Sequence, residues 1–129
     1  MVEVADILKF VDAVAAKFKP QRIVLFGSYA YGTPTEDSDV DLMIIKNYRG
    51  SNAQAACRIS THHGFALDLL VRSPREIQYR LSIEDWFVWD IMEKGIVLYD
   101  ANDRRVREKA GGRLRRRLRL EEIKKTQPV

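Results

Sequence analysis

A single cysteine, Cys57, in 129 residues rules out an internal disulfide framework. Histidine is almost as scarce. The two present, His62 and His63, are adjacent, and neighbours on a helix point in different directions, so with no cysteine or spaced histidine nearby they do not support a zinc site; they are expected to end a helix before Gly64. No apolar run approaches the ~20 residues that a membrane span requires. The opening MVEVADILKF carries Glu3 and Asp6 where a secretory leader would be basic and then apolar. These absences give the expectation of a cytoplasmic protein with no membrane partner. Cys57 is expected to behave as a small core residue.

What is present fits one domain: 46% apolar and 31% charged residues, in a length sufficient for a core without covalent staples. The net charge of +4 conceals an asymmetry. Residues 1–101 hold 11 Lys and Arg against 14 Asp and Glu, a balance of −3, whereas residues 102–129 hold 11 against 4, a balance of +7. The basic character therefore belongs to the C-terminal stretch, and a basic arm points to an acidic or polyanionic partner.

Apolar residues Val4, Ile7, Leu8, Val11, Val14 and Phe18 recur at helical spacing, predicting an amphipathic helix over 3–18 with Asp6, Lys9, Asp12 and Lys17 outward. Strands are predicted at 21–26, 40–45, 65–71 and 96–99. The first carries the unbroken apolar run IVLF and is expected to be buried on both faces. A helix is expected near 53–61, another from the Ser73-Pro74-Arg75-Glu76 capping pattern, and a third after Ser82, ending at Gly95. Trp86, Phe87 and Trp89 on that last helix read as core or partner-facing aromatics, with nucleobase stacking as an alternative. In the C-terminal stretch Val106, Ala110, Leu114 and Leu118 form a sparse stripe, but Gly111-Gly112 costs roughly 2 kcal/mol of helix, so two helical pieces are expected. The run RLRRRLRL at 113–120 reads as a polyanion contact, a partner-binding helix or a solvated end.

The chemistry concentrates in Gly27 to Asp41, GSYAYGTPTEDSDVD, between two apolar runs. Asp39 and Asp41 are two apart, so on an extended chain they share one face, where like charges are costly unless a cation lies between them. Paired carboxylates suit Mg²⁺, a hard ion that completes its shell with phosphate oxygens. Gly27-Ser28 stands where a helix turn begins, offering backbone N–H groups and a hydroxyl to phosphate. Asp68 is a charge inside the third apolar run, expensive to bury unless compensated. The competing readings are a solvated turn for Asp37, Asp39 and Asp41, and an edge charge that deters strand pairing for Asp68.

Gly27-Ser28, ten residues, then Asp39-Val40-Asp41 resembles the signature of the minimal nucleotidyltransferases, a branch of the DNA polymerase β-like superfamily. The resemblance covers about the first hundred residues. It implies a small mixed sheet of about four strands with flanking helices, an α/β (α+β) fold: a nucleotidyltransferase domain at 1–101 followed by a basic helical tail at 102–129. It further implies transfer of a nucleotidyl group, with AMP from ATP expected, using two Mg²⁺ ions. Asp39, Asp41 and Asp68 would be catalytic and metal-binding, and Gly27, Ser28, Asp39 and Asp41 nucleotide-binding. The resemblance points to a HEPN-type protein partner and an antitoxin role. One departure is Tyr31, where the family pattern commonly has arginine; Tyr29 and Tyr31 read as packing residues. Alternatives are a weakly active or inactive binding module, and a transferase acting on RNA ends held by Arg113 to Arg119. Association of two copies through the tail is a further possibility.

Overall fold

The computed structural model describes residues 1–60 and 64–126, so His62 and His63 lie outside the described residues. The chain begins with helix α1 (Val4–Phe18), strand β1 (Arg22–Phe26), the short turn α2 (Ser28–Tyr31) and strand β2 (Val40–Ile45). Helix α3 (Asn52–Ile59), strand β3 (Leu67–Arg72), helices α4 (Pro74–Ser82) and α5 (Trp86–Lys94), strand β4 (Ile96–Asp100) and helix α6 (Arg104–Thr126) complete it. The four strands make one mixed sheet in the order β3-β2-β1-β4; β1 runs antiparallel to β2 and β4, while β2 and β3 are parallel. The expected mixed α+β architecture is what the chain adopts.

Strand alternation divides the apolar residues between two cores. Ile23 and Leu25 of β1, Val40, Leu42 and Ile44 of β2 and Val71 of β3 face α1, α3 and α6. Val24, Phe26, Met43 and Ile45 face α4 and α5 through Ile77, Val88 and Ile91. The unbroken apolarity of β1 thus has the expected cause, burial on both sides. Gly95 ends α5 hard against β1: a Cβ there would stand 2.7 Å from Val24 Cγ1. Caps fall where the sequence has short polar side chains. Ser51 and Gln54 make a reciprocal capping box on α3, Ser73 caps α4, and Asp85 caps α5 through the amides of Phe87 and Val88.

Two expectations need correction. Cys57 is exposed, because α3 buries Ala55 and Ile59, four apart, and a residue midway between them points to the opposite side. The basic stretch is a single 23-residue helix instead of two pieces. Ala110 and Leu114 are fully buried in the core beneath the sheet, and that burial offsets the glycine penalty. Gly111 lies against α1, where a Cβ would come within 3.1 Å of Leu8 Cδ1, so the missing side chain is what permits the close approach. Arg107 adds a fork to Asp12 of α1, with Nε–Oδ1 2.7 Å and Nη2–Oδ2 2.9 Å. Among the described residues no helix is long and apolar enough to cross a membrane.

The two glycines of α6 make opposite predictions. Gly112 has open space at its Cβ position, so Gly112→Ala is expected to raise stability by about 1 kcal/mol through helix propensity. Gly111→Ala must displace Leu8 and is expected to gain nothing or to lose. Denaturant midpoints of the two variants check this.

Candidate nucleotide and metal site

The site forms where three strand ends meet. Asp39 immediately precedes β2 and Asp41 is its second residue; in the parallel register Asp41 pairs with Asp68, the second residue of β3. On its other side Asp41 pairs with Phe26, the last residue of β1, which places Gly27 beside it. Asp41 shares the strand face of Met43 and Ile45 but lies at the strand entrance. There it is half-buried, and Asp39 and Asp68 are exposed. The arrangement is open to solvent at the ends of the strands.

Gly27 is the tightest point. Its φ of +71° is strained for any side chain, and a Cβ would fall on Asp41 Oδ2 and 2.9 Å from its Cγ. The carboxylate occupies the space that any other residue at 27 would fill. Gly32 has an equivalent role at the end of α2, where a Cβ would stand 2.9 Å from Ser28 Cα. Between them, Ala30 and Tyr31 donate their amides to the Gly27 carbonyl at 3.0 Å, closing one helical turn whose earliest amides, including that of Ser28, precede the first intrahelical bond.

Electrostatics mark the same spot. The Asp41 carboxyl is pushed up to about 6, first by burial, then by the charge of Asp68 and that of Asp39, with a hydrogen bond to the Asp68 carboxyl adding to the rise. Among the described residues none of these three carboxylates has an ion-pair partner, and carboxylates held near one another in that way store repulsion that a cation relieves. Among the described residues no three His, Cys, Asp or Glu side chains close into an all-protein metal cage. The donor set fits a hard ion that takes one or two carboxylates and fills its remaining positions with water and phosphate, as Mg²⁺ does.

All five residues expected from the sequence, Gly27, Ser28, Asp39, Asp41 and Asp68, are thus gathered at one end of β1, β2 and β3. Tyr29 packs as expected: it is buried, and its hydroxyl accepts from the Val2 amide at 3.0 Å. Tyr31 does not, standing partly open on the surface. Two cations beside the turn escaped the sequence reading. Arg117 of α6 donates through Nη2 to the Gly32 carbonyl at 2.6 Å, and its Nη1 is buried with no partner among the described residues. Lys94 at the end of α5 is held charged, chiefly by its hydrogen bond to Asp90, and lies within electrostatic reach of Tyr31. No spacing rule connects residues 85 positions apart, so Arg117 carried no local signal.

Comparison with known proteins agrees with this geometry. The family model for the nucleotidyltransferase domain matches residues 7–127. A Methanocaldococcus jannaschii protein named "Putative protein adenylyltransferase" is 32% identical over 102 residues, covering 77% of this chain and all of the relative. A second protein of that name and organism is 30% identical over 98 residues, covering 74% of this chain and 96% of its own length. Among solved structures, the "Crystal structure of a putative nucleotidyltransferase" from Sulfolobus solfataricus superimposes with a TM-score of 0.52 at 16% identity, over 75% of this chain and 79% of that one, a likeness of fold. The chain belongs to the nucleotidyltransferase domain family and is a nucleotidyl-transferring enzyme.

Proposed function

We propose that this enzyme transfers AMP from ATP to a hydroxyl group on a protein acceptor, with Mg²⁺ held by Asp39, Asp41 and Asp68. The observation that carries the reading is the Asp41 carboxylate lodged against Gly27 with Asp68 level with it on the neighbouring strand. A protein acceptor is supported by the names of the M. jannaschii relatives. A HEPN-type partner and an antitoxin role rest on the family resemblance, and cytoplasmic location on the use of ATP.

The acceptor oxygen would attack the α-phosphorus in line, the bond to the bridging oxygen would break, and pyrophosphate would leave. The proton from the acceptor hydroxyl passes to Asp68, the exposed carboxylate at the rim. Two bound Mg²⁺ ions would supply charge neutralisation on the triphosphate and a lowered pKa for the attacking hydroxyl. Ser28 and the Gly27 backbone hold the terminal phosphates, and Arg117 and Lys94 offer the positive charge that Tyr31 does not. The exposed arginines of α6 favour a second reading, transfer to RNA ends. Incubation with labelled ATP and Mg²⁺, with a candidate partner protein or with RNA, separates the readings: label on protein supports the proposal, label on RNA supports the second, and no label leaves a binding module.

The double variant Asp39→Asn/Asp41→Asn is expected to fold, by circular dichroism, and to lose at least about 10²–10³-fold in transfer, because such catalysis is positioning plus charge neutralisation. Gly27→Ala should be as damaging to transfer, since its Cβ evicts the Asp41 carboxylate, and a steady-state assay checks it.

The raised pKa of Asp41 fixes a pH dependence. In the metal-free protein the neutral form is favoured by folding, so its contribution to stability is full below the ordinary carboxylate value and lost as pH rises through about 6. Asp41→Asn should therefore raise the metal-free melting temperature at pH 8 and leave it nearly unchanged at pH 4. Mg²⁺ binding needs the ionised form, so Mg²⁺ should stabilise the wild-type protein more at pH 8 than at pH 5.

A further inference from the structure

Away from the site, the turn from α4 into α5 exposes five large apolar side chains, Tyr79, Ile83, Trp86, Phe87 and Trp89. Trp86 is 85% exposed and Trp89 47%. These are the only two tryptophans in the sequence. With Glu84, Asp90 and Glu93 they line a cavity of about 380 Å³. The patch is held rigid from below: Trp89 Nε1 donates to the Leu81 carbonyl at 3.1 Å, Phe87 meets Phe26 edge to face at 5.9 Å, and Glu84 turns the chain in the left-handed region at φ 57°. Large aromatics kept in water on a fixed frame are what a protein contact surface requires.

The rim charge narrows what fits. Asp85 and Asp90 are paired with Arg80 and Lys94, while Glu84 and Glu93 form no ion pair among the described residues. Two carboxylates outside any ion pair among the described residues, beside two exposed indoles, suit a cationic side chain with an apolar neighbour, a guanidinium above all. The same chain carries that complement. α6 holds 11 basic residues against 3 acidic ones, and its Arg113, Arg116 and Leu120, at three- and four-residue spacing, are exposed along one face. Within one copy the two surfaces cannot meet. α6 is anchored by Ala110 and Leu114 in the core on one side of the sheet, and α5 by Val88 and Ile91 in the core on the other.

We propose that the acidic tryptophan pocket of α5 receives the Arg113, Arg116 and Leu120 face of α6 from a second copy of this chain. The contact is head-to-tail, because donor and acceptor surfaces lie on opposite sides of each molecule, so assembly grows with concentration unless a ring closes. It involves none of the residues placed in AMP transfer to a protein acceptor and stands or falls independently of that chemistry; Arg113 and Arg116 belong to the face that the second reading gives to RNA.

Sedimentation velocity of the full chain over a range of micromolar concentrations, at low and high salt, together with tryptophan emission, tests it. Both indoles lie in the patch, so emission reports the contact directly. The expected result is mass above the monomer at low salt, reverting at high salt, with emission shifting to the blue on association. Glu84→Arg/Glu93→Arg and Arg113→Glu/Arg116→Glu should each weaken association by more than about 10-fold while keeping the wild-type melting temperature. Mixing the two variants should restore it, since each then offers the charge the other lacks. A wild-type chain that stays monomeric, association without an emission shift, self-association surviving in either variant, or a mixture that stays monomeric overturns the proposal.

Discussion

A carboxylate pressed against a glycine, with a second carboxylate one strand away and a third two residues back, is the constraint on which the rest of this molecule depends. Like charges at such range resist folding, and burial of Asp41 adds to the cost. The fold nevertheless holds them there through β1, β2 and β3, whose backbones are fixed by ladder hydrogen bonds and whose two inner strands, β1 and β2, are buried on both faces from Ile23 to Phe26 and from Leu42 to Ile45. The energy of two cores maintains an arrangement that is unfavourable by itself and that the proposed cation and polyphosphate would make favourable. Perturbed acidity at a rigid strand end is the usual mark of such a site.

The division of labour between the two sheet faces follows. The face carrying the aspartates is covered only further along, by α4 and α5, so the strand entrances stay open to solvent. The opposite face is sealed by α1, α3 and α6. Helix α6 belongs to this second cover: its buried Ala110 and Leu114 share a cluster with Ile23 and Leu25, and Arg117 reaches from it to the Gly32 carbonyl at the end of the α2 turn. The most basic element of the chain is thereby coupled to the turn that carries Ser28. Apart from Arg107, which is forked to Asp12, its remaining arginines are exposed.

Much of the fold was legible because its determinants are local. The alternation in VDLMII fixed which residues of β2 face which core, and therefore that Asp39 and Asp41 share a side with Met43. The helical spacing from Val4 to Val14 identified the buried stripe of α1, and the apolar run of β1 announced a central strand. Cys57 was misread because a cysteine carries little information about side, and the position of α3 against the sheet decided it. The glycine pair in α6 was misread because helix propensity is a weak local term, and the close passage of α1 outweighed it.

What the sequence by itself determined is the set of groups and their order: a glycine-serine turn, two carboxylates two residues apart, and a third in a later strand, each specified by spacing over a few residues. Only the tertiary structure decided that Asp68 lies level with Asp41, that Arg117 sits at the end of the α2 turn, that α6 is one helix and that Trp86 faces water. Those facts depend on strand register and on helices meeting across long sequence separations, and such packing has no signature in the residues immediately around any one of them.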